Sequence, residues 1–160
     1  MAEPVDPEQL DIGLLALFTG LAANERATEA LHAAGFESLR FSHGFLFQHL
    51  IDGPRSITEL ARLQEISVQA VSKTVNELIA DGYLEARADP ADGRSRLISL
   101  SERGWAAVKR ARTARARQDK VLERALGADR VEQVRHDLAD VLAALGGVDA
   151  VQIRTIRLPN

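Results

Sequence analysis

The residues best suited to recognition chemistry lie between positions 67 and 96. At about 100° per residue along a helix, Val68, Val71, Val75, Leu78 and Ile79 gather on one face. Gln69, Lys73 and Asn76 fall opposite, with Ala70 and Glu77 to one side and Ser72 on the shoulder. Gln69 and Asn76 can pair with adenine edges and Lys73 with guanine or a phosphate, while Ala70, Ser72 and the helix-opening Ser67 are small enough for close approach. An ordinary solvated helix face carries the same pattern, so placement in the fold must decide. Downstream, Arg94 and Arg96 alternate along a strand-like segment, and Arg87 lies on the segment before it. Asp92, two residues before Arg94, is placed to hold that guanidinium extended, and an arginine at a hairpin tip suits a narrow minor groove or the flanking phosphates. Salt bridges within the hairpin are an equal reading of Arg87 and Arg96.

A smaller group lies upstream. His43 and Phe47 are i, i+4 neighbours and can present a polar nitrogen and a ring face together to a ligand; a satisfied core histidine is the plainer reading. Metal binding is not expected, because His43 and His49 sit about 240° apart around a helix. Zero cysteines exclude thiol nucleophiles, thiol-based sensing and Cys-type zinc sites. No G-x-S-x-G, H-E-x-x-H, P-loop or G-x-G-x-x-G occurs, so the sequence offers no enzyme constellation and no cofactor motif.

Positioning these groups requires a particular order of elements. Leu10, Leu14, Leu17, Phe18 and Leu21 repeat at helical spacing, and the pattern runs on to Gly35, a candidate left-handed cap. A second helix, about 41–51, stops at Asp52-Gly53-Pro54. Ser56-Ile57-Thr58-Glu59 has the S-x-x-E form of a capping box and opens a short helix to about Gln64. Ser67 caps the next helix, with Ile66 and Val71 as a hydrophobic staple; Ser101 repeats the device with Leu100 and Trp105. Between these starts, residues 83–88 and 94–100 read as strands around the turn-rich Asp89-Pro90-Ala91-Asp92-Gly93. A long helix follows, broken at Gly127, and a last one runs from about 129 to 145.

The fold class expected is mainly α in a single chain, 1–160. A winged helix-turn-helix with a two-stranded β wing occupies 53–104. It is flanked by N- and C-terminal dimerisation helices at 8–35 and 105–147, and residues 148–160, without a clear period, form a C-terminal arm. The stripes Leu10, Leu14, Leu17 and Leu138, Leu142, Leu145 exceed what a winged domain needs, and burial between two copies of the chain explains them economically.

Composition agrees. The 160 residues include 25 Ala and 21 Leu, which favours helix. The acidic start lacks the basic region of a signal peptide, and the longest apolar stretch, 13–23, is too short to span a bilayer, so a cytoplasmic protein without membrane contact is expected. Net charge is −3, but it is segregated: residues 1–40 hold seven acids and two bases, while Lys109, Arg110, Arg112, Arg115 and Arg117 occur with no acid among them. That basic run reads first as a solvated helix face.

Leu60-Ala61, Val71-Ser72-Lys73, Leu78, Gly82-Tyr83, Asp89-Pro90-Ala91-Asp92-Gly93-Arg94 and Leu100-Ser101-Glu102-Arg103-Gly104 together resemble the MarR family of bacterial transcription regulators. The D-P-x-D-x-R wing is the most specific of these motifs. The resemblance implies a homodimer that binds a pseudo-palindromic operator in double-stranded DNA, often as a repressor, until a small, frequently aromatic effector binds. It places Gln69, Ala70, Ser72 and Lys73 in the groove-reading stretch, Arg94 at the wing tip, and the helix of His43 and Phe47 along an effector pocket. Ala86 departs from the family, many of whose members carry Arg there. A winged-helix module that binds protein and no longer reads DNA is the alternative.

Overall fold

The computed structural model describes residues 5–90 and 95–152. The chain is mainly helical: α1 Ile12–His32, α2 His43–Leu50, β1 Arg55–Ser56, α3 Ile57–Gln64, α4 Val68–Ala80, β2 Leu84–Ala88, β3 Arg96–Leu100, α5 Glu102–Leu126, α6 Ala128–Ala144 and α7 Val148–Gln152. The strands form one antiparallel sheet in the order β1-β3-β2: β2 and β3 are the two-stranded wing, and the short strand β1 adds a third strand to it. Ser56 opposes Leu97 as the last residue of β1 and also caps α3, its Oγ accepting from the Glu59 amide at 3.1 Å. A two-residue strand has no periodicity to reveal it. Glu59 does not complete the capping box: its carboxylate takes Arg55 Nη1 at 2.6 Å instead.

Other helix starts follow their caps. Asp11 accepts from Leu14 N at 2.9 Å, so α1 begins after Leu10, which lies outside the helix and is half-buried. Ser67 accepts from Ala70 N and Ser101 from Gly104 N. Each such cap satisfies an orphan amide and is worth about 1 kcal/mol. Trp105 is 44% exposed, so the staple beside Ser101 leaves the indole largely in solvent. The C-terminal arm begins as a helix: after Gly146, in the left-handed region at φ +73°, the chain turns into α7. Residues 153–160 lie outside the described residues.

The core sits where α2, α3, α4 and the sheet meet. Leu46, Leu50, Leu60, Val71, Val75, Leu78 and Ile98 are each at most 2% exposed, and each contributes roughly 1.5–3 kcal/mol through burial. Tyr83 is fully buried at its edge. Arg103 stacks over its ring at 4.8 Å from the centroid, and Arg103 Nη2 donates to the Tyr83 hydroxyl at 3.2 Å and to the Gly35 carbonyl at 3.1 Å. Ser101 N donates to the Tyr83 carbonyl at 3.0 Å, and Ser101 Oγ to the Gly82 carbonyl at 2.6 Å. The first turn of α5 is thereby fastened to the base of the wing.

Gly104 makes that fastening possible. A Cβ at this position would collide with the Tyr83 carbonyl oxygen, a backbone atom held by Ser101. Gly104→Ala should therefore cost about 1–3 kcal/mol by overpacking, seen as a lower urea midpoint at unchanged m-value; an unchanged midpoint would show that the junction has slack.

Candidate nucleic-acid interface

Helices α3 and α4 meet across a tight turn in which Glu65 takes the left-handed conformation, φ 54°, and its amide closes onto Ala61 and Arg62 carbonyls. This makes α4 the second helix of a helix-turn-helix. Its rotation is fixed by Val71, Val75 and Leu78, each at most 1% exposed. Burying that face leaves Ser67, Gln69, Ala70, Lys73, Asn76 and Glu77 exposed on the other, while Ser72 is half-buried on the shoulder. Val68 departs from the sequence pattern. It is 48% exposed, because the first turn of α4 projects beyond the core, and its methyl groups stand beside Gln69 where an apolar contact with a thymine methyl is chemically suited. The placement of Val68 before the first buried turn was the available signal.

The wing extends past the core. Its register pairs Ala88 with Arg96 and Arg87 with Leu97, and Asp89 N donates to the Ser95 carbonyl at 3.0 Å beyond the last strand pair. Directly opposed residues share a face, so Arg96 lies on the side of Ile98 and Leu100, the core-facing side, while Arg87 lies on the other. Both are exposed, and no carboxylate among the described residues is within ion-pair distance of either. Asp92 and Arg94 lie outside the described residues.

His43 and Phe47 are brought together as neighbours on a cavity of about 1090 Å³ between α1, α2, α5 and the segment 142–151. Both are buried, at 6% and 5% exposure. His43 Nδ1 accepts from Arg40 N at 3.2 Å, which puts the proton of a neutral ring on Nε2. Burial lowers the His43 pKa below 6.5 and the Arg40 charge adds to that, against opposing pulls from Glu77 on α4 and Asp81 just after it. Arg112 and Arg115, from the basic run, line the same cavity, and Arg115 Nη2 also donates to Asn24 Oδ1 at 3.2 Å. Arg110 Nε donates to the Ala30 carbonyl at 3.3 Å. Part of the run thus reaches across to α1 rather than serving only as a solvated face. Among the described residues no cluster of three or more His, Cys, Asp or Glu is placed to hold a metal ion, and no helix is long and apolar enough to cross a membrane.

The leucine stripes remain open. Leu14, Leu17, Leu138 and Leu142 are 38–55% exposed in the single chain, and Leu145, at the end of α6, is 75% exposed. Ile12, Phe18 and Leu21 on α1 add to the same uncovered surface.

A model of the MarR family matches residues 40–95. An HTH-type transcriptional regulator of Mycobacterium tuberculosis is 32% identical over 95 residues, which are 59% of this chain; the chain spans 65% of that relative's length. The crystal structure of YusO from Bacillus subtilis superposes with a TM-score of 0.69 at 18% identity, covering 89% of this chain and 99% of that one. A variant of Escherichia coli MarR in complex with operator DNA gives 0.61 at 19% identity, over 88% and 99%. At these identities the structures establish the fold.

The histidine carries a pH consequence. Because its folded pKa lies below 6.5, the unfolded chain binds the proton first as pH falls, so this residue's contribution to stability is full above about pH 6.5 and lost as pH drops through the folded value. His43→Gln should flatten the fall in melting temperature between about pH 7 and 5; an identical slope would place the acid sensitivity elsewhere.

Proposed function

We propose that this chain, whose winged helix-turn-helix is of the MarR family, is a DNA-binding transcriptional regulator that acts as a homodimer on a pseudo-palindromic operator. The observation that carries the reading is the exposed stripe Gln69, Ala70, Lys73 and Asn76, presented on the second helix of the motif by the burial of Val71, Val75 and Leu78 on the opposite face. Its fold neighbour in complex with operator DNA supports the same use of the fold. Ser67, Ser72 and Val68 border the stripe, and Arg96 with Arg94 contacts the flanking groove or phosphates. Two copies, joined through the α1 and α6 leucine surfaces, set the two α4 helices about one DNA turn apart.

The regulator represses, and a small effector with an aromatic ring in the cavity beside His43 and Phe47 releases it. The cavity's position suits this role, because it touches both the α1–α5 layer and α2, which packs on the helix-turn-helix. The cytoplasm is the compartment in which such a protein meets its DNA.

Gel-shift titration against the DNA upstream of its own gene tests the reading. Binding with a steep salt slope is expected; absence of binding at low salt would favour a module that recognises protein. Lys73→Ala should weaken specific binding by about 1–3 kcal/mol and leave the oligomeric state unchanged, and undiminished affinity would remove α4 from the reading role. Leu17→Glu with Leu142→Glu should shift sedimentation from dimer to monomer and abolish tight operator binding; a persistent dimer would place the interface elsewhere.

A further inference from the structure

The proposed function leaves unexplained why charge is so sharply segregated along the chain. On the outer side of the α1–α5 layer, Arg26, Arg110 and Arg117 line a groove of about 200 Å³ with Ala30, Gln118 and Val121. No acid lines it, and no carboxylate among the described residues is within ion-pair distance of these three arginines. At the opposite end of α1, Asp6, Glu8 and Asp11 are exposed and equally without a cationic partner. Asp6 and Asp11 each lend one oxygen to a backbone amide, which leaves the other outward. Glu25 and Glu29 are exposed on α1 but do not line the groove, so an acidic cluster before α1 and an arginine groove shared by α1 and α5 near its other end lie unmatched.

A two-fold axis brings such ends together. The uncovered apolar residues of α1 run from Ile12 to Leu21, so an isologous pair of α1 helices related by an axis perpendicular to them would cross antiparallel near residues 16–18. Opposed positions then sum to about 32–36, and the segment 6–11 of one copy lies against residues 21–30 of the other, beside the arginine groove. We propose that the acidic segment around Asp6 and Glu8 of a second copy docks on Arg26, Arg110 and Arg117, forming a symmetric pair of electrostatic clasps at the two ends of the dimer. The clasp rests on the dimer of the proposed function and specifies its register. The acidic segments of the two copies would meet if the helices paired in parallel, so these charges disfavour that arrangement.

Charge reversal tests the clasp on the full chain. Arg26 and Arg117 are exposed, and neither is a donor in a hydrogen bond within the described chain, so their variants should fold; thermal melts verify this. Asp6→Lys with Glu8→Lys, and separately Arg26→Glu with Arg117→Glu, should each raise the dimer dissociation constant roughly ten-fold at low salt in analytical ultracentrifugation, an effect that shrinks at high salt. Combining all four substitutions should restore the dimer to within about three-fold of the original. Unchanged dissociation in either pair, or a quadruple variant weaker than both, overturns the clasp while leaving the dimer and its DNA binding intact. A chain that is monomeric at every concentration, with no substitution made, would instead overturn the dimer itself.

Discussion

The rest of the structure depends on one close approach, the first turn of α5 against the backbone of Gly82 and Tyr83. Two hydrogen bonds from Ser101 and the absence of a side chain at Gly104 bring the helix within van der Waals distance of a carbonyl oxygen. Because Tyr83 is fully buried and its ring is covered by Arg103, which also reaches the Gly35 carbonyl after α1, this junction joins three parts at once. The wing, the recognition helix that precedes it, and the long helices share one rigid corner. A displacement of α5 is transmitted to the base of the wing without a flexible linker.

The cavity lies on the same lever. Its walls come from α1, α2 and α5, and α2 packs through Leu46, Phe47 and Leu50 into the core that holds α4. His43 is on that wall and feels both Arg40 and the acids Glu77 of α4 and Asp81 at its C-terminal cap. A ligand that changed the charge around this imidazole would act on the helix that carries the recognition stripe. Coupling of this kind requires differential affinity for two arrangements of the corner, not distance alone.

Much of the fold was legible because the residues that shape it act locally. Ser56, Ser67 and Ser101 each cap the helix they appear to cap, Gly35, Gly127 and Gly146 all take positive φ, and the alternation of α4 leaves its polar side outward. What escaped detection depends on tertiary placement. The two-residue strand β1 exists only by pairing with β3, the carboxylate of Glu59 prefers a guanidinium to a backbone amide, and Val68 belongs by rotation to the apolar face yet lies beyond the core's edge. The cavity is assembled from segments more than a hundred residues apart, and only His43 and Phe47 hinted at it. The α4 stripe was legible as an exposed face, while its use on DNA is a reading of that face.

The exposed side of α4 is sparing with charge. Lys73 is the only base on the exposed side of α4, Glu77 follows one turn later, and positions 53–104 hold seven bases against eight acids. A protein held to phosphate by so few contacts gains little from DNA of arbitrary sequence, since that affinity scales with the number of counterions displaced. Under the proposed function, the chromosome would therefore be a poor reservoir for it. Copies would partition into free solution rather than onto the millions of competing sites, where a dissolved effector would reach them directly and where a small population would be enough to keep one operator filled.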